Sequence, residues 1–204
     1  MLAPRKTLWS TPQAVLEQAV AWSGSLQPTD CVCDIGCGDG RCLVHWATLY
    51  SVTLRDEQSS SSSSPSSSND KDSPTAACFI GIDIDANRIQ QAKQSWQQAV
   101  EAGAIDARIK AEFYCQNALE AYDIFCRATI IFLYLIPRGL RQIKTLLLQI
   151  PHAIQVITYM SPLPAETPIY KQCIKIPHQP NAEWPVYAYR LNANDDSETV
   201  GVGG

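Results

Sequence analysis

The residues most able to do chemistry in this chain are Val32-Cys33-Asp34-Ile35-Gly36-Cys37-Gly38-Asp39-Gly40-Arg41. A β-prone run from Asp30 to Ile35 turns through three glycines into an amphipathic stretch marked by Cys42, Leu43, Trp46, Ala47 and Tyr50. A strand that turns this way into a helix presents backbone N–H groups and a helix N-terminus to a ligand, and glycine lets the ligand approach the main chain closely. The phosphate-binding pattern G-x4-G-K-[S/T] is absent, and the dinucleotide pattern G-x-G-x-x-G fails because Arg41 stands where its last glycine belongs. The G-x-G-x-G spacing suits a cofactor that carries no pyrophosphate.

A second signal is Asp83, at the end of the apolar run Ala77 to Asp83. In a dinucleotide-type fold an acid about 20 residues beyond the glycines binds both ribose hydroxyls. Here the gap is about twice that. A serine-rich stretch, about 55–75, accounts for the excess. Such a stretch buries too little apolar area to offset its ordering entropy, so it reads as a disordered surface insertion within one fold. Asp85 directly precedes the next helical pattern and is the better helix-capping acid.

These residues need a scaffold. Thr11-Pro12 reads as a helix start, with Thr11 as cap and Pro12 at the first helical position, and Gly24 closes that helix. A helix follows with Ile89, Ala92 and Trp96, then strands at Ile109 to Cys115 and Thr129 to Leu135. Pro137 opens a helix that buries Leu140, Ile143, Leu146 and Leu147. Strands at Ile154 to Tyr159, Ile169 to Ile176 and Pro185 to Leu191 complete the pattern, and a polar, glycine-rich tail from about 193 reads as frayed. Apolar strands alternating with helices imply an α/β, Rossmann-like, mostly parallel sheet with helices on both faces. The consecutive strands at the end imply an antiparallel finish. At 204 residues one domain is expected.

Composition narrows the function. With 46% apolar and 18% charged residues the chain is globular, and a net charge of -4 gives no broad basic surface for nucleic-acid backbone. No apolar run reaches the roughly 18–20 residues of a membrane helix. A soluble, cytoplasmic protein is expected, with Arg5 and Lys6 leaving a mitochondrial address open. Eight cysteines lack C-x2-C knuckles, so buried thiols acting as small hydrophobes are expected, and no metal. His45, His152 and His178 show no spacing for a metal or a triad. No general base emerges.

The glycine motif Asp34 to Gly40, Asp83, and Gln116-Asn117-Ala118 after the third strand resemble class I, seven-strand methyltransferases that use S-adenosylmethionine (SAM). The resemblance covers roughly residues 7 to 191. It implies that Asp34, Gly36, Cys37, Gly38 and Gly40, then Asp83 with Ile84, then Asn117 with Ala118, bind the cofactor. Asn117 departs from the usual acid facing the adenine amine, although an amide oxygen also accepts. Thr11-Pro12, Asp34 to Arg41 and Phe132-Leu133-Tyr134-Leu135-Ile136-Pro137 together resemble a smaller group, the lysine methyltransferases of the adenine nucleotide translocase and the ATP synthase c-subunit. That likeness implies a protein substrate methylated on lysine.

Tyr134 to Pro137 lie at the carboxyl end of the fourth strand, where a methyl group would emerge. Tyr134 and Pro137 are therefore candidates for a substrate channel; the alternative is that Tyr134 simply packs at the strand end. Trp9 and Thr11 are lid candidates, Asp34 points to the cofactor's methionine end or braces the turn, and Asp39 with Arg41 forms a surface pair or shapes the turn. The rival functions are methylation of a small molecule, a non-catalytic SAM-binding module, and a nicotinamide oxidoreductase. Oligomeric state is not legible.

Overall fold

The computed structural model describes residues 11–60, 76–176 and 179–193. Most of the serine-rich stretch, His178, Trp9 and nearly all of the tail lie outside the described residues. Helix α1 spans Gln13–Ser23, strand β1 Cys31–Ile35, α2 Arg41–Ser60, β2 Cys78–Asp83, α3 Ala86–Glu101 and β3 Lys110–Cys115. A 3-10 turn at Ala118–Glu120 and the short α4 at Tyr122–Phe125 lead into β4 at Ile130–Leu133. Then come α5 at Pro137–Leu147, β5 at Ile154–Tyr159, β6 at Tyr170–Ile176 and β7 at Gln179–Leu191.

The strands form one sheet in the order β3-β2-β1-β4-β5-β7-β6. Strands β1 to β5 pair in parallel, and β7 runs antiparallel to both β5 and β6. Six strands therefore share one direction, and the expected antiparallel C-terminal strand is β7. The order reverses between β2-β1 and β4. In open α/β sheets the crevice at such a switch point, beyond the carboxyl ends of the strands, is where ligands bind.

Alternation along the strands deals their side chains to two cores. Val32, Phe79, Ile130 and Phe132 face α1, α2 and α3 through Leu16, Trp46 and Trp96. Cys33, Ile80, Ile82, Ile131 and Leu133 face α4 and α5 through Phe125, Leu140, Ile143 and Leu147. A strand covered on both faces favours apolar residues throughout; each residue of β1 is buried, and Asp34 is the charged exception.

Two helix boundaries differ from the expectation. The first helix begins at Gln13, so Pro12 is the cap and not the first helical residue. Its carbonyl accepts from the amides of Val15 and Leu16 at 3.0 and 3.2 Å, and proline offers no side-chain cap. Thr11, displaced from the cap, is buried against α2 instead. At the other end, α2 continues through Arg55 to Ser60, residues expected in the insertion. Leu54 is still buried in the core, which extends the helix past Tyr50. Asp85 caps α3 as expected, accepting from the amides of Asn87 and Arg88.

Gly81, in the middle of β2, has no room for a side chain. A Cβ there would lie 2.6 Å from the Phe113 ring and 3.0 Å from the Cys37 sulfur. Gly81→Ala should therefore destabilise the fold by about 1–3 kcal/mol through overpacking. The check is a urea unfolding midpoint; an unchanged midpoint would mean that Phe113 simply steps aside.

Candidate functional site

The site begins where β1 ends. The Ile82 carbonyl accepts from the amides of Gly36 and Cys37 at 2.8 and 3.0 Å, so the chain stays fastened to β2 as it leaves the sheet. Gly36 and Gly40 have φ of 88° and 77°, a region open to glycine and costly for other residues. Gly40 is also pressed against α3, where a Cβ would approach the Ala92 Cβ to 2.8 Å. The Gly40 carbonyl accepts the Val44 amide at 3.0 Å and so starts α2.

Asp83 holds this turn from β2. Its Oδ2 accepts the Gly38 amide and its Oδ1 the Asp85 amide, both at 2.9 Å, and the residue is buried. A carboxylate offers about four acceptor positions, so these two bonds leave capacity for hydroxyl groups. The bracing role is a finding that sequence distance could not supply.

Asp34 lies on the same face of the sheet, toward α1 and α2. It is 2% exposed, and its Oδ2 has no hydrogen-bond partner. Burial pushes its carboxyl up to about 7; the Cys42 thiol, bonded to it, works against this, and the charges of Asp83 and Asp39 add to it. Thr11 in turn bonds the Cys42 thiol.

Around Asp34 lies an open cleft. Of the residues predicted from sequence, Asp34, Gly36, Cys37, Gly38 and Tyr134 line it. Thr11, Asp39 and Arg41, which had weaker claims, line it too, as do Cys42 and Phe132. Those last two were missed. Phe132 lies two positions before Tyr134, so strand alternation was the available signal; Cys42 lies two residues beyond Gly40, in the first turn of α2. Arg41 pairs with Asp39 through its Nε at 2.9 Å and through a close Nη2 contact. Burial raises the Asp39 carboxyl, but the hydrogen bonds and charge of Arg41 outweigh it and hold the group below its ordinary value.

The remaining predicted residues sit outside this cleft. Gly40 shapes the turn from behind. Ile84 and Asn117 flank the carboxyl ends of β2 and β3, whose last residues Asp83 and Cys115 are in register. Asn117 caps the 3-10 turn, its Oδ1 accepting the Leu119 amide at 3.2 Å, while its Nδ2 donates to Glu120. Ala118 opens that turn and is half-buried. Pro137 occupies the first turn of α5 and is exposed. Tyr134 is half-buried, with its ring 4.6 Å from that of Tyr159 and tilted by 54°.

Cysteines 31, 33, 37 and 42 are buried as expected, whereas Cys115 and Cys173 are exposed. The His152 ring meets the Ala128 carbonyl at 3.1 Å, a packing role. Among the described residues no cluster of His, Cys, Asp or Glu has the geometry of a metal site, and no helix is long and apolar enough to cross a membrane.

No protein-family model matches the chain, and no curated protein matches it. Solved structures do. An RNA methyltransferase from Salinibacter ruber, in complex with S-adenosyl-L-homocysteine, is 19% identical with a TM-score of 0.61, over 90% of this chain and 94% of that one. Precorrin 8w decarboxylase from Methanobacterium thermoautotrophicum is 12% identical with a TM-score of 0.55, over 91% of this chain and 93% of that one. TrmN from Thermus thermophilus is 16% identical with a TM-score of 0.53, over 86% of this chain and 48% of that one. At such identities the likeness establishes the fold, which is the Rossmann-like methyltransferase fold.

The burial of Asp34 has a consequence for stability. Its folded value of about 7 stands above the ordinary carboxyl value of 3.8. Between those values the native state binds more protons than the unfolded one, so stability falls as pH rises through that window. Asp34→Asn removes the penalty. Without ligand, the variant should match the wild type near pH 4 and exceed it by a few kcal/mol at pH 8. Urea unfolding at the two pH values measures the difference; an equal gap at both would place the ionisation elsewhere.

Proposed function

We propose that this chain transfers methyl groups from SAM to a lysine side chain of a protein. The observation that carries the cofactor half is the buried, unpartnered Oδ2 of Asp34 beneath the glycine turn. Leaving such an acceptor unpaired is costly, and the α-ammonium of a bound methionine moiety supplies the missing donor. The resemblance at Asp34 to Gly40 and at Asp83 supports the same cofactor, as does the S-adenosyl-L-homocysteine in the Salinibacter ruber neighbour.

SAM supplies a methyl group already activated on a sulfonium, so the protein's task is mostly alignment. Asp34 holds the ammonium end. The free acceptor positions of Asp83 take the ribose hydroxyls, and the second lone pair of the Asn117 amide oxygen takes the adenine amine. Cys37, Ile84 and Ala118 contribute to the walls between these anchors. Phe132 and Tyr134 form the apolar side toward the acceptor. An apolar wall lowers the pKa of an incoming lysine and favours the neutral amine that can attack. The Tyr134 face, propped on Tyr159, holds a methylated ammonium by cation–π attraction. Pro137 starts α5 immediately beyond this wall and shapes the channel mouth. The segment Phe132 to Pro137 favours the lysine reading by its resemblance, and the net charge of -4 favours a protein over RNA.

Titration with S-adenosylhomocysteine tests the cofactor half. Binding at pH 6 should release close to one proton, because the ligand's ammonium favours the ionised form of Asp34. Heats measured in buffers of different ionisation enthalpy report that proton. Asp34→Asn should weaken binding at least about tenfold and abolish the release; unchanged affinity would remove Asp34 from the site.

Transfer of labelled methyl groups from SAM into a host extract tests the acceptor half. Methyl-lysine in a discrete protein band supports the proposal, and Tyr134→Ala should then slow transfer more than it weakens cofactor binding. Label confined to small molecules would point to the small-molecule reading, and label in RNA would overturn the charge argument. No label, from protein that binds cofactor, would favour a non-catalytic module.

A further inference from the structure

The cysteine cluster holds a second chemistry, remote from the glycine turn. Cys31 opens β1 and lies directly opposite Cys78, which opens β2, in a parallel pair. In-register residues of neighbouring strands leave the sheet on the same side, and both thiols belong to the core beneath α4 and α5. Strands about 4.8 Å apart place such Cα atoms within the roughly 4.4–6.8 Å that a disulfide spans. Both cysteines are free, Cys31 is buried, and Cys78 is half-buried with access to solvent.

We propose that Cys31 and Cys78 form a redox-active dithiol which a peroxide converts into a cross-strand disulfide. The Cys78 thiolate attacks one peroxide oxygen; the O–O bond breaks, and Cys78 becomes a sulfenic acid while the other oxygen leaves as water. The Cys31 sulfur then forms the S–S bond and displaces a second water. For hydrogen peroxide the two thiols lose two electrons and two protons, and the oxidant is reduced to two waters.

The surroundings assign the two roles. The hydrogen bond from Cys31 brings the Cys78 thiol down to about 7; burial opposes this, the charge of Arg127 assists it, and Glu112 opposes it. The same bond, with burial, pushes Cys31 up, so Cys31 keeps its proton until the second step. A thiol near this value is a good nucleophile at neutral pH. Neither the site nor its chemistry depends on the methyl-transfer reading.

The test uses the full, reduced chain treated with hydrogen peroxide. Remaining thiols are then alkylated, and a non-reducing digest is examined by mass spectrometry. The expected product is the Cys31 peptide joined to the Cys78 peptide, two hydrogens lighter than their sum and separated by reductant. Exposed Cys115 and Cys173 serve as internal controls for general oxidation. In Cys31→Ser, which keeps a donor beside Cys78 but cannot form the S–S bond, the reaction should stop at a Cys78 sulfenic acid that dimedone traps. Oxidation of the exposed cysteines with no Cys31–Cys78 link overturns the proposal, as does a link to any other cysteine. The wild-type map decides the matter even if the variant fails to fold.

Discussion

The attachment of the glycine turn to the second strand is the constraint on which the rest of the site depends. Three bonds make it: the Ile82 carbonyl takes the amides of Gly36 and Cys37, and the Asp83 carboxylate takes the amide of Gly38. A loop that leaves a sheet otherwise exposes donors that cost free energy when buried. Here β2 satisfies them, which fixes where α2 begins and which way the turn faces. Gly40 can then sit against Ala92 of α3, so the turn is pinned from two elements at once.

Asp34 is the complement of that rigidity. It occupies the one polar position in a strand buried on both faces, where transfer of a charge from water is expensive. Its neighbours do not neutralise it: Arg41 is already committed to Asp39, and the Cys42 thiol is a weak donor. A fold that retains such a group without a partner is spending stability at a site, which is the usual mark of function. A nearby cation would favour the ionised carboxyl, and Phe132 and Tyr134 line the same cleft.

The two-sided burial of the parallel strands also explains the cysteines. Small, apolar thiols suit the buried positions of β1 and the start of α2. One consequence is that alternation and register place Cys31 beside Cys78 at the amino ends of the strands, far along β1 from the cleft. The same pairing that seats the cleft at one edge thus places two thiols side by side at the opposite edge.

Much of this was legible in the chain itself. Apolar runs of strand length, glycines at Gly36 to Gly40, Asp85 as a cap and Pro137 as a helix opener specified the α/β order because each acts through local backbone chemistry. The parallel sheet followed from the alternation of elements and its antiparallel finish from the consecutive strands at the end, and Asp34 and Asp83 stood out by type and place. What remained closed to sequence depended on partners distant along the chain. Only the tertiary structure decided that Asp83 braces Gly38, that Asn117 spends one lone pair on the Leu119 amide, and that Thr11 leaves the cap of α1 to meet Cys42. Local patterning determined the elements because backbone preference and burial are read a few residues at a time. Which lone pair is spent, and which is left for a ligand, is settled only when segments far apart in sequence share one edge of the sheet.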